Sequence, residues 1–344
     1  MSKGLLRPGE EYHLPDSTPE IFLMSRSASY QPGLAWFAAI GSAWVFVLVA
    51  LGAFTTTIGA GMAFPDWPLS NGSVNPHGWL TEIDKFAEHS HRLSGMVMGL
   101  VTIGLAVWLH LRESRAWLRQ LGWWALAVVI FQGLVGGQRV KLDAITVPGF
   151  EMTLGEMLRL PHGMLAQIYV CMLFAIVAGL SRPWIENRLG TAGPRVRRLG
   201  AVCVALLLVQ LAVAVTMRHN HAGMALGTNF PQSANDGSWL PDTWNYLVVL
   251  QFLHRVMAAL IGLAVLVYGH FLWREKTLAG PLRAMSLVLV ALIGAQVYLG
   301  AQTIWTGRSI VMTTGHVVTG ALTLATVFLV VFLTRRASME PSHP

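Results

Sequence analysis

The chain reads as long apolar runs separated by short polar or basic stretches. Eight runs stand out, over 36–57, 89–110, 117–135, 162–180, 199–216, 246–271, 282–303 and 313–333. Each comes close to, or exceeds, the ~20 apolar residues needed to cross a ~30 Å hydrocarbon core. Lipid offers the backbone no hydrogen-bond partners, so every run is expected to be a helix. The pattern predicts an all-α polytopic membrane protein of eight transmembrane helices.

Composition agrees. Of 344 residues, 54% are hydrophobic and 12% charged, about half the ~25% charged share of soluble domains, so a cytosolic globule is excluded. The net charge of +7 is spread in short clusters with no basic helix or aromatic-interleaved strand, so nucleic acid is not an expected partner. Of the 24 Lys and Arg, 16 fall on one side of the helix map. That bias predicts both termini on the cytoplasmic side, or the matrix side of an organelle, with the polar loops 60–87 and 218–245 outside. Cys171 and Cys203 each lie within an apolar run, which leaves no loop disulfide and no CxxC metal motif. The N-terminal tail has no apolar stretch until about Leu34 and does not read as a cleavable signal peptide.

The chain repeats itself. Ala60-Gly61-Met62-Ala63 recurs as Ala222-Gly223-Met224-Ala225, His91-Arg92 as His254-Arg255, and Gln132 and Gln138 as Gln296 and Gln302, at offsets of 162, 163 and 164. Helices one to four thus recur as five to eight, giving two tandem four-helix bundles. An even number of crossings per unit keeps both copies in one orientation, which implies a pseudo-twofold along the membrane normal. The expected organisation is a tail (1–35), an N-terminal half (36–190), a C-terminal half (191–336) and a short tail (337–344).

Four of the twelve histidines follow this repeat: His91, His162, His254 and His316, each near the outer end of an even-numbered helix. Ionisable side chains in a span are costly unless paired or functional. Two imidazoles facing each other across a bundle can supply both axial nitrogens to a haem iron. The expectation is two bis-histidine sites, one per repeat; the alternative is that each ring snorkels at the interface. His110 and His270 also match but have no partners on helices four and eight, so they read as interfacial. His13, His77, His219, His221 and His343 fall in tails or loops, and His89 points to a different helix face from His91.

The halves then differ at one place. Glu88 precedes His91 by three residues, on the same helix face, whereas Gln251 holds that place before His254. A carboxyl group there can do acid or base chemistry and an amide cannot; the competing reading is an i, i+4 ion pair between Glu88 and Arg92. Arg92 and Arg255 could pair with porphyrin propionates through a forked, charge-assisted contact, or snorkel to headgroups. Gly133, Gly136 and Gly137 either make room for a flat ring or permit close helix packing.

From about Trp36 to Leu333 the sequence resembles the haem A synthase family, membrane enzymes that convert haem O to haem A. The resemblance is carried by Glu88-His89-Ser90-His91-Arg92, by Phe64-Pro65-Asp66-Trp67-Pro68, by His162, by Leu253-His254-Arg255 and by Thr314-Gly315-His316. It implies that His254 and His316 ligate a resident haem b. It also implies that His91 and His162 flank the substrate haem, and that Glu88 is the essential acidic residue. The implied reaction oxidises one porphyrin methyl of haem O to a formyl group through a hydroxymethyl stage. It further implies a bacterial cytoplasmic or mitochondrial inner membrane, with haem O synthase and an electron donor as partners. Some members carry a cysteine pair in the first outer loop; the comparable stretch 64–70 has none.

Two other classes compete. A diheme electron carrier usually places its haems toward both leaflets, whereas all four histidines share one level here. A two-repeat transporter tends to bind at midplane beside broken helices, whereas these spans lack proline in their middles.

Overall fold

A computed structural model describes residues 29–149 and 152–340. Eight long helices account for the eight apolar runs: α1 (Pro32–Thr57), α2 (Ile83–Arg112), α3 (Ala116–Lys141), α4 (Arg159–Leu180), α5 (Pro194–His219), α6 (Tyr246–Arg274), α7 (Gly280–Trp305) and α8 (Ile310–Leu333). Each is long and apolar enough to cross a membrane. The protein is therefore an all-α, multi-pass membrane protein. Of the histidines named above, His13 and His343 lie outside the described residues.

The helices begin where their sequences permit. Proline occupies the first turn of α1, α5 and α7, where its missing N–H removes no intrahelical bond. Asn245 caps α6 by accepting from the Val248 N–H. Most helices outrun their apolar cores by a turn or so, because backbone pairing continues past the point where side chains become polar. α5 thus carries on through Arg218 to His219. His219, expected in a loop, is the last residue of that helix and is only partly exposed. α3 likewise ends with Arg139 and Lys141 in its last turn, where the negative end of the helix dipole favours cations.

Successive helices pack side by side within each half, and α1 and α4 pack against α5 and α8 between the halves. Two apolar cores result. One gathers Leu34, Leu105, Leu109, Leu118, Leu173 and Leu180; the other gathers Val196, Val265, Leu272, Leu282, Val327 and Val330. These residues come from the starts of odd helices and the ends of even ones, so both cores fill the short-loop end. In lipid such packing is held by van der Waals contact rather than by exclusion of water. Large apolar side chains such as Leu100, Trp124, Leu260 and Val311 face outward, as lipid requires. The opposite end, under the long loops, is left to the polar groups.

Candidate functional site

All four repeat-related histidines lie at the long-loop end, on α2, α4, α6 and α8. The His254 and His316 rings face each other with centroids 6.4 Å apart and planes at 76°. His316 Nδ1 lies 3.1 Å from the Gln296 carbonyl, an arrangement in which Nδ1–H donates, and its Nε2 meets the Gln296 side-chain amide at a long 3.4 Å. The Gln210 side-chain amide meets His254 Nδ1 at 2.9 Å and donates to the His254 carbonyl at 3.0 Å. In the first half His91 and His162 lie near each other, and among the described residues the Nδ1 atom of each is buried without a hydrogen bond.

Three of the four rings rest on glycine. A Cβ added at Gly52 would lie 2.9 Å from the His91 ring, one at Gly136 2.9 Å from His162, and one at Gly300 3.0 Å from His316. These neighbouring helices carry no side chain where the imidazoles need room. Gly137 gives the same clearance to the Trp67 indole, while Gly133 has nothing near it.

The donor set favours a porphyrin over a bare ion. Among the described residues no three His, Cys, Asp or Glu side chains converge on one point, so a naked metal would be under-coordinated. An iron whose equatorial positions are filled by a macrocycle needs only the two axial nitrogens that such pairs offer. The unpartnered imidazole nitrogens, the glycine cradles and the glutamine-held rings all fit that group.

Above the rings, the two halves hold their long loops in the same way. Glu88 Oε2 accepts from the Phe64 N–H at 3.2 Å, and Gln251 Oε1 accepts from the matching Leu226 N–H at 2.6 Å. Both side chains are buried, at 4% and 2% exposure. Arg92 donates to the carbonyls of Phe64, Asp66 and Leu69, and Arg255 to those of Asn229 and Gln232. Each guanidinium also lies over a phenylalanine, Phe64 or Phe230, at 5.6 and 5.5 Å. The remaining contacts differ. Glu88 Oε1 forms the i, i+4 ion pair with Arg92 at 2.5 Å, whereas the Gln251 amide donates to the Gly223 carbonyl at 2.7 Å. Lacking a carboxylate beside it, Arg255 keeps Nε and Nη2 buried and, among the described residues, unpartnered.

His89 does point away from His91. It contacts Ser70 Oγ at 3.0 Å and the Val74 carbonyl at 3.2 Å, and packs on Trp79, so it pins the first loop. In the same loop Asp66 accepts from the Asn71 and Gly72 N–H groups, both at 2.7 Å. Partial burial works against its charge, but those amides and Arg92 hold its carboxyl below the ordinary range. His110 and His270 are exposed near the short-loop end, and His77 and His221 are exposed in loops.

The cytochrome oxidase assembly protein family matches residues 35–328. The chain belongs to this family. That match spans the whole site, from Gly52 on α1 to His316 on α8. Among the relatives, the heme A synthase of Shouchella clausii is 28% identical over 260 residues, covering 71% of this chain and 77% of the relative. That of Beijerinckia indica is 27% identical, covering 76% and 81%, and that of Sphingopyxis alaskensis is 26% identical, covering 88% and 92%.

Sequence reasoning missed several residues that this family member brings to the site. Gly52 and Gln210 act through α1 and α5, distant in sequence from the rings they support. Arg139, Arg159 and His219 gather near His162. Arg218 of α5 crosses to α1, donating to the Ala53 carbonyl and Thr57 Oγ1 at 2.5 and 2.7 Å. A comparison of the repeats position by position was the available signal, since Arg139 and Arg159 fall opposite Thr303 and Thr313.

Proposed function

We propose that the chain is a haem A synthase, a haem-modifying membrane enzyme that oxidises one methyl group of haem O to a formyl group through a hydroxymethyl intermediate. Family membership and the named relatives support the activity. The division of labour is our reading: His91 and His162 flank the substrate haem in the N-terminal half, and His254 and His316 are the axial ligands of a resident haem b in the C-terminal half. A haem b in that position supplies one-electron redox chemistry. Both termini face the cytoplasm of a bacterium in this reading, supported by the excess of basic residues on that side.

The observation that carries the division is the exchange of Glu88 for Gln251 within otherwise matching loop contacts. Both side chains hold a loop amide, so holding the loop does not require a carboxylate. What Glu88 adds is ionisation: a group beside His91 able to take up or release a proton, or to steady positive charge developing on the substrate. Arg92, paired to it, keeps the carboxylate oriented. Arg255, with two donor nitrogens free, suits a propionate of the resident haem.

Expression in cells that supply haem O, followed by mass analysis of the extracted haems, tests the proposal. Formylated porphyrin beside haem b is expected. A purified protein that carries haem but yields no formylated or hydroxymethylated porphyrin would overturn the enzymatic reading.

A further inference from the structure

Among the described residues, Arg139 is a cation without an acceptor. It lies in the last turn of α3 with its Nε buried, and its side chain makes no hydrogen bond and no ion pair with any of them. A guanidinium whose Nε is buried without a partner is costly, so a site that keeps one is short of an anion. The neighbours do not supply it. Glu88 and Asp143 are near enough to attract it, but Glu88 is taken by Arg92 and the Phe64 amide, and Arg159 lies beside Asp143. Arg139 also interacts by charge with His91 and His162, and its guanidinium lies against Gly61, where any Cβ would collide with it. It therefore stands at the mouth of the first-half site.

Arg92 cannot take this part with its terminal nitrogens. Nη1 donates to two loop carbonyls, and Nη2 to Glu88 and the Phe64 carbonyl, which uses all four of their hydrogens. The second half has no equivalent of Arg139. Along the matched α3 and α7 segments Arg139 and Lys141 are replaced by Thr303 and Trp305, and Arg159 faces Thr313. The first half thus has, at the end of its third helix, an arginine, unpaired among the described residues, that its repeat replaces with threonine.

We propose that Arg139 receives a propionate of the substrate porphyrin in the N-terminal half, by a forked charge-assisted contact, and so sets which edge of the ring faces Glu88. This rests on the placement of the substrate at His91 and His162 argued above.

The test is a titration of the full-length protein, already carrying its C-terminal-half haem, with iron protoporphyrin IX and separately with its dimethyl ester, read from the Soret change of the added equivalent. Arg139→Gln should weaken binding of the diacid by about tenfold and leave the ester unaffected, with Arg139→Lys recovering part of the loss. The resident haem spectrum reports that the variants fold. Equal weakening of diacid and ester, or no weakening of the diacid, overturns the anchor. His91→Ala separates the two levels. If it abolishes binding while Arg139→Gln is silent, only the anchor falls; if it leaves both porphyrins bound as before, the substrate placement falls and the anchor with it.

Discussion

Position 88 of the first half and position 251 of the second receive the same loop amide, yet one side chain can ionise and the other cannot. Around them the arginines over phenylalanine are kept, as is the glycine behind His162 and its counterpart His316. In the function proposed above, the difference teaches that the scaffold for gripping a flat, iron-bearing ring is common to both repeats, and that reactivity belongs to only one of them. It also explains why Glu88 is bound on both oxygens: one contact is the inherited loop anchor, and the other, to Arg92, goes with the charge.

The largest test of that comparison removes one imidazole at a time. His254→Ala is expected to abolish the low-spin b-type absorbance of the purified protein, whereas His91→Ala should keep it and abolish haem A formation. Visible spectra and extracted haems read both, and equal loss of the b-type band in the two variants would erase the distinction between the halves.

A smaller effect is expected from filling the cradles. Gly136→Ala and Gly300→Ala each force a methyl toward an imidazole, and overpacking of this kind costs ~1–3 kcal/mol. Gly300→Ala should perturb the b-type spectrum, Gly136→Ala should slow turnover with that spectrum intact, and Gly133→Ala, which meets nothing, should do neither. A silent Gly300→Ala would mean that the ring position tolerates displacement.

The smallest effect belongs to Gln251→Glu. The new carboxylate can still accept from Leu226 and can pair with Arg255, but the Gly223 carbonyl loses its donor. The net change in stability should stay within about 1 kcal/mol, seen as a shift of a few degrees in thermal unfolding. No oxidation in the second half is expected, and a formylated resident haem would show that the carboxylate alone confers reactivity.

Much of this is legible in the amino-acid sequence. Helices follow from apolar runs because lipid leaves the backbone no other solution, and His91, His162, His254 and His316 stand out because the repeat puts them at one depth. Glu88 against Gln251 can be read from the same internal alignment. Other features depend on contacts between distant segments. Gly52 matters because α1 passes the His91 ring, and Gln210 because α5 passes His254. His219 reads as a loop residue because hydropathy ends where lipid ends, while the α5 helix does not. Arg139 is hidden for a subtler reason: its significance lies in hydrogen bonds that it does not make among the described residues, and no linear pattern records those.

The central claim is that the two halves share a grip and differ in chemistry, and Glu88→Gln tests it most directly, because Gln251 already shows that glutamine can hold the loop. In cells supplying haem O, the purified variant is predicted to keep its b-type haem and its thermal stability while formylated porphyrin falls by at least about 100-fold. Formation of haem A at the normal level, with the protein intact, would contradict the account.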